Sequence, residues 1–241
     1  MTDPTGEVRG ARAELLDLCE RGLDWRVDPA RVLEDPTAAR PAAVLVLFGR
    51  LDALPARTTA PVVAGDLDVL LQRRSGTLGH HAGQIAFPGG RLEPTDAGPR
   101  EAALREAVEE VGLDPSGVEV LGTLPDLWLP PSRFVVTPVL AWWRVPNEVG
   151  VVDRAEVAAV ARVPIADLAD PAHRLQITHP NGWIGPAFEV DDMLIWGFTA
   201  GVTDRLLALG GWEVPWDRNR RRELDPETLA LAMRTVSRPT P

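Results

Sequence analysis

One cysteine, Cys19, stands among 241 residues. No intrachain disulfide can form, and the cysteine usage gives no reason to expect an oxidising compartment. Positive charge is also short, with 25 Lys and Arg against 35 Asp and Glu and a net charge of −10. A broad basic face that tracks a nucleic-acid backbone is thereby disfavoured, so nucleic acid is not an expected partner. A small phosphorylated ligand stays compatible with this charge if cations neutralise it locally. No apolar run reaches the ~18 residues that would span a bilayer. The start, Met1 to Glu7, is polar and acidic rather than a basic stretch leading into an apolar one. A cytoplasmic protein with no membrane partner is the expectation. Internal repeats and low-complexity segments are also missing.

Hydrophobic residues make up 45% of the chain and charged residues 25%, the balance of a globular protein with one substantial core. A helical pattern runs from about Val8 to Leu23. Ala42–Phe48 reads as a buried strand, and Asp66–Arg73 as a strand with Leu67, Val69 and Leu71 alternating against polar neighbours. Pro55–Pro61 is a turn-rich loop. Ser75–Gly90, rich in Gly and His and ending in Phe87-Pro88-Gly89-Gly90, reads as irregular.

A helix over Pro99–Val111 follows, with Thr95 or Asp96 to cap its start and Gly112 to end it. Val118–Leu124 and Phe134–Trp143 are strands around a loop carrying Pro130 and Pro131. Val157–Val163 is a strand, Ile165–Leu168 a short helix, Pro186–Val190 a short strand and Thr199–Leu209 a helix. One more helix is expected over Pro226–Met233. Strands and helices alternating in one block argue an α/β fold. The expected organisation is an N-terminal helical extension over 1–40, a principal domain over 41–210 and a tail over 211–241.

The helix Pro99–Val111 carries the chemistry. Leu104, Val108 and Val111 fall at i, i+4 and i+7 with Ala107 beside them, an apolar stripe. At about 100° per residue, Glu106, Glu109 and Glu110 lie on the other side. The plainer reading is a solvated face. Against it, Glu106 and Glu110 repel one turn apart at a cost of a few tenths of a kcal/mol, and no Lys or Arg stands one turn from Glu110. Converging carboxylates are relieved by a cation between them, and hard oxygen ligands suit Mg²⁺ or Mn²⁺. Arg105 stands one turn after Glu101 and one turn before Glu109, where it can hold a carboxylate rotamer. Upstream, Gly89-Gly90 lets backbone approach a ligand with no Cβ in the way.

Gly90, five residues, Asp96, eight residues and then Arg105-Glu106-Ala107-Val108-Glu109-Glu110-Val111-Gly112-Leu113 resembles the Nudix box. The general pattern has Glu at the place of Asp96 and seven residues before the Arg. The longer spacing with Asp resembles the coenzyme A pyrophosphatase branch. So do Leu70-Leu71, Arg74-Ser75, Leu78, His81, Gly83-Gln84 and Phe87-Pro88-Gly89-Gly90, although Gln72 stands for a usual Thr and Gly79 for a usual Arg. The resemblance covers about Ala42 to Leu209.

It implies an α/β/α sandwich around a mixed β-sheet. It also implies metal binding by Glu106, Glu109 and Glu110 with the carbonyl of Gly89, and substrate binding by Arg74, His81, Gly83, Gln84 and Gly90. Arg105 would serve catalysis, and either Glu109 or Glu156 would accept the proton of the attacking water. Three functions stay open. The first is cleavage of coenzyme A or an acyl derivative to 4′-phosphopantetheine and adenosine 3′,5′-bisphosphate. The others are cleavage of another nucleoside diphosphate derivative, to which Gly79 points, and nucleotide binding without catalysis. The partner in each is a small nucleotide-like molecule, and a homodimer is compatible with all three.

Other features carry less. His80 and His81 are adjacent and would point to opposite sides of an extended stretch, so a zinc site is not expected. The eight tryptophans read as core or interface residues. Arg218–Arg222, with flanking Asp217 and Glu223, reads as a solvated lead-in to the last helix.

Overall fold

The computed structural model describes residues 4–21, 39–50, 67–78, 81–129 and 133–232. Gly79, His80, the Pro55–Pro61 loop, Pro130, Pro131 and the end of the last expected helix at Met233 lie outside them.

Three long apolar segments form the centre of the main sheet. Strand β1 (Arg40–Arg50), β2 (Leu67–Arg74) and β7 (Phe134–Trp143) are almost wholly buried. β1 and β7 run parallel, from Arg40 beside Phe134 to Phe48 beside Trp142, whereas β2 is antiparallel to β1. The sheet is therefore mixed. It gains β3 (Ile85–Ala86) on β2, β4 (Gly89–Arg91) on β1, and β5 (Val118–Thr123) and β6 (Leu127–Leu129) on β7. A further strand, β8 (Val157–Pro164), lies on β2.

Side chains alternate across such a sheet, and here each face has its own helices. Val46, Phe48, Val69, Leu71, Leu140 and Trp142 share one cluster with helices α1 (Pro4–Arg21), α3 (Ile165–Ala169) and α4 (Gly197–Leu209). Leu45, Leu47, Leu70, Val139, Ala141 and Trp143 share the other with helix α2 (Pro99–Val111). The expected α/β/α sandwich is this arrangement.

Both flanking segments reach the first cluster. Leu15 of α1 is fully buried there, and Trp212 meets Phe48 edge-on at 5.8 Å between ring centroids, a contact worth about 0.5–1.5 kcal/mol beyond its burial.

A smaller sheet takes β9 (Arg174–Thr178), β10 (Ile184–Val190) and β11 (Met193–Ile195), and β12 (Arg221–Glu223) joins it parallel to β9. The arginine run is thus a strand edge rather than a lead-in. Arg220 and Arg222 pair with Glu189 of β10 across the sheet. Helix α5 (Pro226–Ala232) follows, started by Asp225, whose carboxylate accepts from the Thr228 N–H at 2.8 Å.

Several sequence expectations change. The irregular stretch before Gly90 contains β3, and β4 begins at Gly89. Gly89 has φ of 153°, and a Cβ there would lie 2.3 Å from the Ala43 carbonyl oxygen, so only glycine lets β4 close on β1. The polar positions of β2 are not solvent-facing: Asp68 and Gln72 are each 1% exposed, because β2 is covered on both faces. Asp68 is paired with Arg162 of β8.

On α2 the buried stripe is Ala102, Ala103, Ala107, Glu110 and Val111, while Val108 is 39% exposed. Alanine methyls let the helix lie close to the sheet, which leaves Leu104 at the margin of the cluster and turns Val108 outward. Neither Thr95 nor Asp96 caps α2. Gly98 holds the N-cap position without a side-chain bond, and Asp96 is engaged elsewhere.

Candidate active site

The site forms where β1 changes partners. Its first half, Ala42–Val44, pairs with Arg91–Gly89 of β4, and its last part, Phe48–Arg50, pairs with Val69–Leu67 of β2. Between them the Leu45 N–H donates to the Pro88 carbonyl at 2.8 Å. The Gly89-Gly90 turn is thereby fixed beneath the C-terminal half of α2, whose end is set by Gly112 in the left-handed region at φ 72°.

Glu110 is the deepest of the three α2 carboxylates, at 2% exposure. The expectation that it lies with Glu106 and Glu109 on the side away from the packed stripe is therefore corrected. At i+7 from Ala103 and i+3 from Ala107 it falls on the packed stripe. Its Oε2 accepts from the Gly89 N–H at 2.9 Å and from Gln72 Nε2 at 2.8 Å. Its Oε1 is buried and lacks a hydrogen-bond partner among the described residues, and Arg74 Nη1 is 3.8 Å away. Burial pushes the carboxyl up to about 7, against the opposing effect of the Gly89 and Gln72 bonds and the Arg74 charge. Arg74 reaches Glu110 from the end of β2 rather than from along α2, so sequence spacing did not reveal it.

Glu106 lies against Gly90, where a Cβ would come within 2.4 Å of its Oε1. A side chain at Gly90 would displace that carboxylate. Desolvation raises the Glu106 carboxyl, opposed by Arg105 and reinforced by the charges of Glu109 and Glu156. Glu109 is the exposed member, with 58% of its side chain accessible.

Arg105 organises the outer edge. Its Nε and Nη2 each donate to Asp96 at 3.0 Å, a bidentate pair. Its Nη1 reaches Glu106 at 3.1 Å and Glu109 at 3.3 Å, and its Nη2 also donates to the Arg91 carbonyl at 3.0 Å. The bonds from Arg105 hold the Asp96 carboxyl below the usual range. One guanidinium thus ties the loop before α2 to two carboxylates on it.

The remaining expected residues lie on the adjoining edge. Glu156 precedes β8, and its carbonyl accepts from the Ser75 N–H at 2.7 Å. Arg74 and the His81–Gln84 turn are joined by backbone, Arg74 N–H to Gln84 O at 2.9 Å and Gly83 N–H to Arg74 O at 3.1 Å. His81 takes φ of 57°, and its Nδ1 is 3.0 Å from Gln84 Oε1. Gly83 is left-handed at 71°, with Leu231 of α5 where its Cβ would be.

No three Asp, Glu, His or Cys side chains form a ready cage for a metal among the described residues. The donor set nevertheless suits a hard cation. Three carboxylates lie on the C-terminal half of α2, and the buried Oε1 of Glu110 accepts no hydrogen bond among the described residues, with only Arg74 beside it at 3.8 Å.

Residue-type reasoning passed over Gln72 as a mere departure from a pattern. The available signal was its phase: it lies two positions after Leu70, on the face that α2 covers.

The chain is similar to several known proteins. Residues 54–181 match the NUDIX domain family. Nudix hydrolase NudL of Cronobacter sakazakii is 40% identical over 154 residues, covering 61% of this chain and 77% of that protein. NudL of Escherichia coli K12 is 39% identical over 146 residues, covering 57% and 72%. Among solved structures, RenU, a Nudix hydrolase from M. smegmatis, aligns with a TM-score of 0.48 at 20% identity over 74% of this chain and 90% of its own. A domain match over more than half of the chain, on the segment that carries the carboxylate helix and its glycine turn, makes this protein a member of the Nudix hydrolase family.

Proposed function

We propose that this Nudix hydrolase cleaves the pyrophosphate linkage of coenzyme A or an acyl-coenzyme A, releasing 4′-phosphopantetheine and adenosine 3′,5′-bisphosphate. The observation that carries the phosphoanhydride chemistry is Glu110, buried beside the Gly89-Gly90 turn with one oxygen unpartnered. The substrate class rests on the resemblance of Leu70–Gly90 to coenzyme A-cleaving members. Among the described residues no helix is long and apolar enough to cross a membrane, and this reading takes the protein to act in the cytoplasm.

Glu106, Glu109 and Glu110 would hold divalent cations, Mg²⁺ or Mn²⁺, with the Gly89 carbonyl as a further ligand. Such a cation polarises phosphoryl oxygens and makes water a better nucleophile near neutral pH. Arg105 keeps Glu106 and Glu109 oriented by its anchor on Asp96. Arg74 supplies a cation beside Glu110 for a phosphate oxygen, which an arginine fork suits. The His81–Gln84 turn, tied to Arg74 through backbone, and Gly90 complete the substrate-facing edge.

Water's oxygen bonds to one phosphorus as the bridging P–O bond breaks, and the bridging oxygen leaves with the other phosphate. The water's proton passes to Glu109, which is exposed enough to receive and release it, or to Glu156, whose charge is felt at Glu106.

Gly79 favours a second reading, a different nucleoside diphosphate derivative, since the loop lacks an arginine there. The purified protein with Mg²⁺ is offered coenzyme A, acetyl-coenzyme A, dinucleotides and nucleotide sugars, and products are identified by mass. The two expected fragments from coenzyme A support the proposal. Turnover of another member alone transfers the reading to that substrate, and binding of nucleotide with no product from any of them removes the hydrolytic assignment.

A further inference from the structure

Gln72 is a buried polar side chain to which the reading above gives no task. It sits on β2 between β3 and β8, opposite Ala86 on one side and Val160 on the other. At 1% exposure it occupies a place where a hydrophobic residue would pack at less cost, because its own Oε1 is also buried without a hydrogen-bond partner among the described residues. Its one hydrogen bond there joins Nε2 to Glu110 Oε2 at 2.8 Å.

The same Oε2 accepts from the Gly89 N–H at 2.9 Å. Two donors, from β2 and β4, therefore meet one carboxylate oxygen that belongs to α2. Two bonds from separate strands fix the plane of a carboxylate that otherwise rotates, and they use only one of its oxygens. The other, Oε1, is held toward Arg74 with no bond of its own.

We propose that Gln72 is a positioning residue for Glu110: with the Gly89 N–H it pins Oε2 so that Oε1 is presented to the divalent cation. This rests on the reading of Glu110 as a metal ligand. Gln72 does not touch the substrate or the cation.

The test measures Mn²⁺ binding directly, from the electron paramagnetic resonance signal of free Mn²⁺, on the full chain and on Gln72→Met and Gln72→Asn. Methionine matches the length of glutamine without a donor. Asparagine keeps the amide but withdraws it by one methylene. Both should weaken Mn²⁺ binding by about 10- to 100-fold, as loss of a bond that orients a ligand does. In chelator, the melting temperature of Gln72→Met should be unchanged or higher, since a half-satisfied buried amide is gone. A structural role alone gives the reverse pattern, a lower melting temperature with parental Mn²⁺ affinity in the folded protein. Should Gln72→Met fail to fold, Gln72→Asn decides.

Parental affinity in either folded variant overturns the inference and leaves the metal site standing. A parent that binds no Mn²⁺ overturns the reading of the site, and the inference with it.

Discussion

Two buried charged centres in this protein are built on opposite terms. Arg174, on β9, is 1% exposed. It pairs with Asp204 of α4 and with Glu213, whose Oε1 is 3.4 Å from Nη1. It also lies over the ring of Trp216 at 4.6 Å and of Phe188 at 5.4 Å. Its charge is met from several directions within the chain. Glu110 is equally buried, yet among the described residues its Oε1 has no hydrogen bond, and Arg74 stands at 3.8 Å. A centre answered internally welds the small sheet, α4 and the segment after Trp212 together. A centre left partly unanswered is costly to the fold and available to a ligand.

The largest expected effect lies at the welded centre. Arg174→Met strips the counter-charge from Asp204, whose carboxyl is already pushed up by burial. Breaking a buried pair from one side costs about 3–5 kcal/mol, which for a chain of this size lowers the melting temperature by roughly 10 °C. Turnover per folded molecule should stay parental. A thermal melt with an active-fraction assay checks both, and a loss of turnover at full folding would dissolve the contrast between the centres.

Glu110→Gln should do the opposite. kcat falls at least about a hundredfold, near 2.7 kcal/mol of transition-state stabilisation, while the metal-free fold is not weakened. The pH dependence gives the sign. Folded Glu110 titrates near 7 against an ordinary value of 4.5, so the folded state binds its proton more tightly than the unfolded state does. Its stabilising contribution is full below pH 4.5 and is lost as pH rises to about 7, to the extent of roughly 3 kcal/mol. Denaturant unfolding in chelator should show this decline across that window in the parent, and a flatter profile in Glu110→Gln. Parallel profiles would mean that Glu110 is not strained by its burial.

On the proposed reading a metal supplies what Glu110 lacks, so Mg²⁺ at about 100 times its Kd should stabilise the parent by about 2.7 kcal/mol. The combined Glu106→Gln, Glu109→Gln and Glu110→Gln variant should gain nothing. Equal shifts in the melting temperature of the two proteins would assign the cation to another place.

The smallest effect on stability is expected of Gly90→Ala. Its methyl would meet the flexible end of Glu106 at 2.4 Å rather than backbone. The carboxylate can move aside, so stability should change by less than about 1 kcal/mol, while Mn²⁺ affinity and turnover both fall. Unaltered turnover would show that the position of Glu106 against Gly90 is immaterial.

Local spacing made much of this site readable. Helix α2 spans Pro99–Val111 and β7 spans Phe134–Trp143, as their residue patterns and, for the end of α2, Gly112 predict, since these depend on residues within a turn or two of each other. The alignment of Glu106 with Glu110 along one helix, and the reach of Arg105 to Glu109, follow from the same geometry. Burial did not follow. On α2 the stripe of Leu104, Val108 and Val111 looks like the packed face, but small alanines permit the closest approach to the sheet, and the helix is turned so that Val108 is exposed and Glu110 buried. The salt-bridged strand Arg221–Glu223 was equally hidden, because its pairing partner, β9, lies more than forty residues away in the chain.

The sequence alone therefore determined which residues make up the candidate site, because carboxylate spacing on a helix and a Gly-Gly turn before it are local properties. Only the tertiary structure decided how those residues differ. Glu109 is exposed and Glu110 buried one position apart on the same helix. Gln72 and Gly89 come from separate strands to hold one oxygen of Glu110 and leave the other. Burial and the meeting of distant donors are set by what the sheet packs against the helix, and no spacing along the chain encodes that.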